Sequence, residues 1–380
     1  MARAKRGCLL VLMVLLVLAG IMAGAGAWLY QRQALFAYAP INADAESVVV
    51  ARGDGFNAML RKLREAGVDE GKDYQWKLLA RQLDAAGKIK AGEYALGGRQ
   101  SPRGLLLSMR QGKVLQYRVT LVDGWNIRQV RAALGRAQPL LHETGQMSDA
   151  ELMAALGFPG QHPEGRFLPE TYVYQRGDSD VDVLKRAHAA MEKELAEAWA
   201  ARSDDLPLAS PYELLTLASI IEKETGLASE RPQIAGVFAR RLKLGMRLQT
   251  DPTVIYGIGS SYDGNIRKVH LTTDTPYNTY TRAGLPPTPI AMPGRDALRA
   301  AAQPAAGDAL YFVAVGDGSG RHVFSRTYAE HNVAVRDYVR RYRARFAGND
   351  DGAEAPDDAA PPNELEVEAA VGADAGAGRE

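Results

Sequence analysis

The feature that most restricts this chain is an uncharged run from Gly7 to Gln31. As a helix, residues 8–30 rise far enough to cross a hydrocarbon layer roughly 30 Å thick. Arg3, Lys5 and Arg6 precede the run, so the positive-inside bias keeps the N-terminus cytoplasmic and exports everything after residue 31. Trp28 and Tyr30 fall where interfacial aromatics belong. Ala25-Gly26-Ala27 also reads as the cleavage site of a secretory signal, but the apolar stretch is longer than most signal cores, which favours a retained anchor. The expected product is a single-pass inner-membrane protein with a cytoplasmic stub and anchor (1–30) and a periplasmic working part.

A total of 380 residues leaves room for several compact units. The net charge of +1 conceals three unlike regions. Residues 1–7 carry +3 and residues 349–380 carry −9, which leaves +7 for the sequence between them. A mildly basic exported region suits an anionic polymer, and export argues against nucleic acid as that polymer. The single cysteine, Cys8, excludes an intrachain disulfide framework and a cysteine-cluster metal site.

Residues 31–45 are expected to be a linker. A strand over 47–51 and a turn over 52–55 lead to Phe56, Met59, Leu60 and Leu63, whose i, i+3, i+4, i+7 spacing marks an amphipathic helix closed by Gly67. A second helical stretch (73–87) and a strand-like 89–96 complete a small β-α-α-β module, 46–115. Residues 116–206 are expected to be a connecting region that ends in a long helix, 180–203. Asp54-Gly55-Phe56-Asn57 and Asp123-Gly124-Trp125-Asn126 share a D-G-aromatic-N pattern, which arises either by duplication or by convergence on a capped turn. The Ala/Gly/Asp/Glu/Pro-rich segment 347–380 has too little apolar surface to offset its ordering entropy and is expected to be disordered. The fold class is α+β, with a mixed C-terminal domain over 207–346.

Common chemistries fail on inspection. There is no P-loop, no G-x-S-x-G elbow and no H-E-x-x-H, and the six histidines are scattered. Neither a metal nor a cofactor is expected. The informative stretch is 210–226, where Ser210 is placed as N-cap, Pro211 at N1, Glu213 at N3 and Gly226 at C′. Leu214, Leu217, Ala218 and Ile221 form the buried stripe, and Lys223 points away from it. Glu222 and Glu224 start on its two shoulders, in the last turn, where the helix dipole disfavours negative charge. Apolar neighbours and that dipole raise a carboxyl pKa, as a general acid requires. The competing reading is that both are solvated helix-end residues. Downstream, 247–257 and the Tyr-, Asn- and Pro-rich 275–294 offer aromatic faces and amides of the kind that hold sugar rings.

The segments 218–225 (ASIIEKET), 228–242, 245–259, 275–294 and 322–332 (HVFSRTYAEHN) resemble the endolytic murein transglycosylases (MltG-like, YceG family), and the likeness covers essentially the whole exported region. The 47–96 segment resembles a LysM-like glycan-binding module. The resemblance implies cleavage of peptidoglycan glycan strands between N-acetylmuramic acid and N-acetylglucosamine, giving 1,6-anhydro ends with one glutamate as acid and then base. It maps that glutamate to Glu224, because Glu-Thr is similar to the Glu-Ser pair of other lytic transglycosylases, with Glu222 in reserve. Gln249, Asp251, Tyr256, Tyr277, Asn278 and Tyr280 are the candidates for holding substrate, and Glu170 is a further carboxylate with a capping alternative. A role in releasing nascent strands, with cell-wall synthases as partners, is compatible with this reading. The alternatives are a hydrolytic muramidase and a non-catalytic glycan-binding scaffold.

Overall fold

The structure, a computed structural model, describes residues 2–346; the acidic segment 347–380 lies outside them. The chain forms two compact units. The first runs to Tyr117 and takes in the short segments Gln138–Leu141 and Val173–Asp178; the second takes in Arg118–Ala137, His142–Tyr172 and the chain from Ser179 onward.

Helix α1 (Ala2–Tyr38) opens the first unit. Its Leu12–Tyr38 stretch, which contains an 18-residue window with a mean hydropathy of 2.3, is long and apolar enough to cross a membrane. The helix thus runs through the first half of the expected linker. Phe36, Ala37 and Ile41 are buried in the core of this unit, and Phe36 meets Trp76 edge-on at 5.4 Å. The Gln33 side-chain amide donates to the Gln75 carbonyl at 3.0 Å. The apolar residues of 31–45 thus serve a core rather than a tether.

The rest of this unit follows the expected order. Strand β1 (Ser47–Val50), helices α2 (Phe56–Glu65) and α3 (Asp73–Gln82), and strand β2 (Gly92–Ala95) are followed by α4 (Pro102–Gln111). The two strands pair antiparallel, Ser47 opposite Ala95 and Val50 opposite Gly92. Met59, Leu60, Leu63, Trp76, Leu79, Tyr94, Leu105 and Leu106 fill the core. Glu93 in β2 is buried and ion-paired with Arg176 at 2.8 Å.

Strands β3 (Tyr117–Thr120) and β4 (Thr171–Tyr174) form a second two-stranded sheet. The second unit carries α5 (Ile127–Arg136), α6 (Asp149–Leu156), α7 (Asp180–Ala200), α8 (Pro211–Glu224), α9 (Arg231–Lys243), α10 (Asp251–Ile258), α11 (Lys268–Thr272) and α12 (Arg295–Ala302). The antiparallel hairpin β5 (Tyr311–Ala314) and β6 (His322–Ser325) and helix α13 (Tyr328–Phe346) complete it. Helix α8 is central: it packs on α7, α9, α10 and α12, and Leu214, Leu215, Leu217, Ala218, Ile220 and Ile221 are buried.

Two expectations change here. The stretch expected to connect, 116–206, belongs largely to the second unit, because Leu168, Met191 and Leu195 enter the same core as α8. The two D-G-aromatic-N strings also differ in register. Phe56 is the first residue of α2 behind a Gly55 cap, whereas Asn126 is itself the cap of α5. The shared string therefore meets its helix two residues later in the second case than in the first.

Candidate active site

Helix α8 delivers Glu222 and Glu224 at its C-terminal end. Ser210 Oγ accepts the Glu213 N–H at 3.3 Å. The Glu213 carboxylate reaches past Ser210 to the Ala209 N–H at 2.6 Å, so the reciprocal half of the expected capping box closes one residue early. The other end also differs from expectation. Thr225 turns the chain out of the helix in an extended conformation, φ −147° and ψ 137°, and Gly226 is not among the glycines in the left-handed region.

The two glutamates meet different surroundings. Glu222 Oε1 pairs with Arg231 Nη2 at 2.8 Å, and Glu222 Oε2 accepts the N–H of Gly294, the cap of α12, at 2.9 Å. Burial raises its pKa, while the Gly294 N–H and Arg231 pull the other way. Glu224 meets a hydroxyl: Thr250 Oγ1 donates to Glu224 Oε1. Burial pushes the Glu224 pKa up to about 7, Asp251 adds to the rise, and Thr250 and Arg241 oppose it. Lys223 between them is exposed.

The residues facing Glu224 are fixed from behind. Arg241, 7% exposed, donates to the carbonyls of Leu310 (2.7 Å), Arg247 (3.1 Å) and Leu248 (3.0 Å) and to Gln249 Oε1 (3.3 Å). Gln249 itself lies in the left-handed region, at φ 52°, a conformation uncommon for a non-glycine residue. The next residue, Thr250, caps α10, and Thr279 Oγ1 accepts its N–H at 3.1 Å. Thr253 Oγ1 joins the same cluster at 2.9 Å from Thr279 Oγ1. The hydroxyl that touches Glu224 therefore sits on a buried scaffold of threonines.

The other expected site residues divide. Asp251, expected in a loop, is the first residue of α10 and accepts from Tyr280 Oη at 2.7 Å. Gln249, Asp251 and Tyr280 all lie around Thr250 and keep some exposure. Asn278 does not serve as expected. It is 1% exposed, and its side-chain N–H groups go to the carbonyls of His270, Leu271 and Thr273, so it shapes its loop from inside. Tyr277 bonds Thr288 Oγ1 at 2.9 Å and packs edge-on to Tyr256. The Tyr256 hydroxyl is spent on Glu164 Oε2 at 3.0 Å. Glu170 pairs with Arg295 at 3.1 Å, a structural contact. A cavity of about 450 Å³ lies at the start of α8, lined by Ser210, Tyr212, Glu213 and Pro286 among others; this is the opposite end of the helix from Glu224.

Two residues escaped the sequence reading, Arg241 and Glu164. Thr250 was visible as a polar member of 247–257, but its role as helix cap was not. Glu164 stands in an irregular, aperiodic stretch, six residues before Glu170. It is fully buried, and burial pushes its pKa up to about 7. Between about pH 4.5 and 7 the folded protein then holds a proton the unfolded chain has released, so stability falls as pH rises through that window. The rise corresponds to roughly 3 kcal/mol. We expect the wild-type melting temperature to drop between about pH 5 and pH 8, by on the order of 5–10 °C, and Glu164→Gln to lessen that drop. Parallel melting curves for the two proteins across that range make the check, and equal drops in both would rule out the Glu164 contribution.

A sequence model of the YceG-like family matches residues 48–337. This chain belongs to that family. A Bacillus subtilis protein named endolytic murein transglycosylase is 30% identical over 335 residues, which cover 83% of this chain and 90% of that protein. Two Streptococcus pneumoniae proteins of the same name are 27% identical over 285 residues, covering 66% of this chain and 51% of each of them; this YceG-like chain thus spans about half their length. The crystal structure of a YceG-like protein from Listeria monocytogenes aligns over 76% of this chain and 97% of its own at 27% identity, with a TM-score of 0.49.

Proposed function

We propose that this chain is a membrane-anchored endolytic peptidoglycan transglycosylase in which Glu224 acts first as general acid and then as general base. The reading is supported by membership of the YceG-like family and by the name of the B. subtilis relative, which is matched over 90% of its length. The observation that carries the assignment is local: Glu224 is the α8 carboxyl held at a pKa of about 7 beside a hydroxyl, while Glu222 is tied to Arg231 and Gly294.

Protonated Glu224 gives its proton to the glycosidic oxygen between N-acetylmuramic acid and N-acetylglucosamine. The C1–O bond breaks, and an oxocarbenium-like centre forms at C1 of the muramoyl residue. The resulting carboxylate takes the proton of that residue's C6 hydroxyl, whose oxygen closes onto C1 as the 1,6-anhydro ring. Atoms and protons balance without water, and Glu224 ends protonated for the next turnover. The Thr250 hydroxyl bonds Oε1 and stabilises the carboxylate stage, leaving Oε2 for the substrate. Gln249, Asp251 and Tyr280 lie around Thr250, whose hydroxyl meets the reacting carboxyl, and are the groups we assign to the sugar. Helix α1 serves as the anchor, with the N-terminus cytoplasmic, and the 46–115 module holds glycan in a LysM-like manner. Cuts made inside strands from such an anchored position would release nascent strands from the membrane.

Product analysis tests the reaction. Intact glycan strands treated with the purified protein should give 1,6-anhydro ends, one water lighter than the reducing ends a muramidase leaves; reducing ends, or no cleavage, would defeat the proposal. The acid step needs the proton, so kcat/KM should fall above about pH 7, roughly tenfold per pH unit. Asp251→Asn keeps an acceptor for Tyr280 and removes a charge that raises the Glu224 pKa. Its alkaline limb should therefore move to lower pH; an unmoved or upward-shifted limb contradicts the electrostatic account.

A further inference from the structure

Glu164 is a costly residue to keep. Its carboxyl is fully buried, and among the described residues no Lys, Arg or His side chain forms an ion pair with it. Simple packing would be served by an apolar side chain at lower cost. What the carboxyl does is join two helices: both oxygens take the N–H of Ile127, the first residue of α5, at 3.1 and 3.2 Å, and Oε2 takes the Tyr256 hydroxyl of α10 at 3.0 Å. The positive end of α5 suits an acceptor at that point.

Helix α10 is only eight residues long, and its cap, Thr250, carries the hydroxyl that bonds Glu224. We infer that Glu164 is a positioning residue for the transglycosylase reaction, acting through Tyr256 to set the rotation of α10 and hence the Thr250 hydroxyl against Glu224. The inference rests on Glu224 being the acid. At its start α10 is held by Thr279 and by Tyr280 on Asp251. Six residues on, the Tyr256 hydroxyl meets Glu164, and the Tyr256 ring packs edge-on against Tyr277 at 4.9 Å. A short helix tethered at one end can still turn about its axis; the second tether removes that freedom. Glu164 touches no substrate in this scheme, so its loss should slow the chemical step without weakening strand binding.

The test compares kcat and KM on intact glycan strands for the full-length wild type, Glu164→Ala, Tyr256→Phe and the double variant. Each single change should lower kcat on the order of 10–100-fold, as small misplacements do, with KM little changed. The double variant should be no slower than the worse single, because both changes cut one link. Glu164→Gln, which can still bond Ile127 and Tyr256, should recover most of the lost kcat. Multiplying losses in the double variant, or a Tyr256→Phe protein with wild-type kcat, would overturn the inference. Tyr256→Phe removes a single hydroxyl, so the test stands even if Glu164→Ala does not fold. An active wild type with an indifferent Tyr256→Phe rejects this inference alone; a wild type that makes no anhydro ends rejects it together with the function.

Discussion

Replacing Glu224 by glutamine should abolish strand cleavage while leaving the protein folded. The amide has the shape of the carboxyl and can keep the Thr250 bond, but it cannot give a proton to a glycosidic oxygen or take one from a C6 hydroxyl. Both halves of the proposed reaction lose their only proton carrier, so the loss should reach the upper part of the range of about 10²–10⁴ found for a positioned acid or base. Stability should move the opposite way. A carboxyl whose pKa is raised from 4.5 to about 7 destabilises the fold once pH exceeds its unfolded value, and glutamine lacks that penalty. The Glu224→Gln protein should therefore melt no lower than wild type near neutral pH, and higher as pH rises. Glycan binding by pull-down, melting by scanning calorimetry and end-group mass spectrometry make the check. Retained anhydro-end formation in a folded Glu224→Gln protein would remove Glu224 from the chemistry.

The reach of local rules explains what could be read in advance. Ser210, Pro211 and the apolar stripe of α8 are neighbours in sequence, so the helix and the placement of both glutamates in its last turn follow from spacing alone. The partners that separate the two carboxyls are distant: Arg231 is nine residues from Glu222, Gly294 is 72 residues away, and Thr250 is 26 residues from Glu224. Glu164 meets Tyr256 across 92 residues, and its own stretch has no period to mark it as buried. The same limit accounts for the linker. Phe36, Ala37 and Ile41 follow the polar Gln33 at helical spacing, too short a stripe to announce a buried face, and only Trp76 and its neighbours make them core. In 275–294, Asn278 looked like a ligand-facing amide because composition cannot tell a loop's interior from its surface; three main-chain carbonyls claim it instead.

Glu222 should show the converse phenotype to Glu224: large in stability and small in chemistry. Its side chain and that of Arg231 are 5% and 12% exposed, so truncation to alanine strands a buried guanidinium. Arg231 Nε already has no hydrogen-bond partner among the described residues, and Asp296, 3.8 Å away and largely exposed, is too weak a substitute. Breaking such a pair from one side costs about 3–5 kcal/mol, and Glu222→Ala also leaves the Gly294 N–H at the start of α12 without its acceptor. A loss of that size should be plain as a lowered melting temperature and reduced yield. Glu222→Gln keeps the acceptor for Gly294 and a neutral contact to Arg231, so it should fold better than the alanine variant. Its effect on kcat should stay within about tenfold, because the side chain touches α9 and α12 and leaves proton transfer to Glu224. The comparison also decides between the two carboxyls. A well-folded Glu222→Gln protein as inactive as Glu224→Gln would show that the Arg231 pair opens during turnover, and the proton donor would then have to be reassigned.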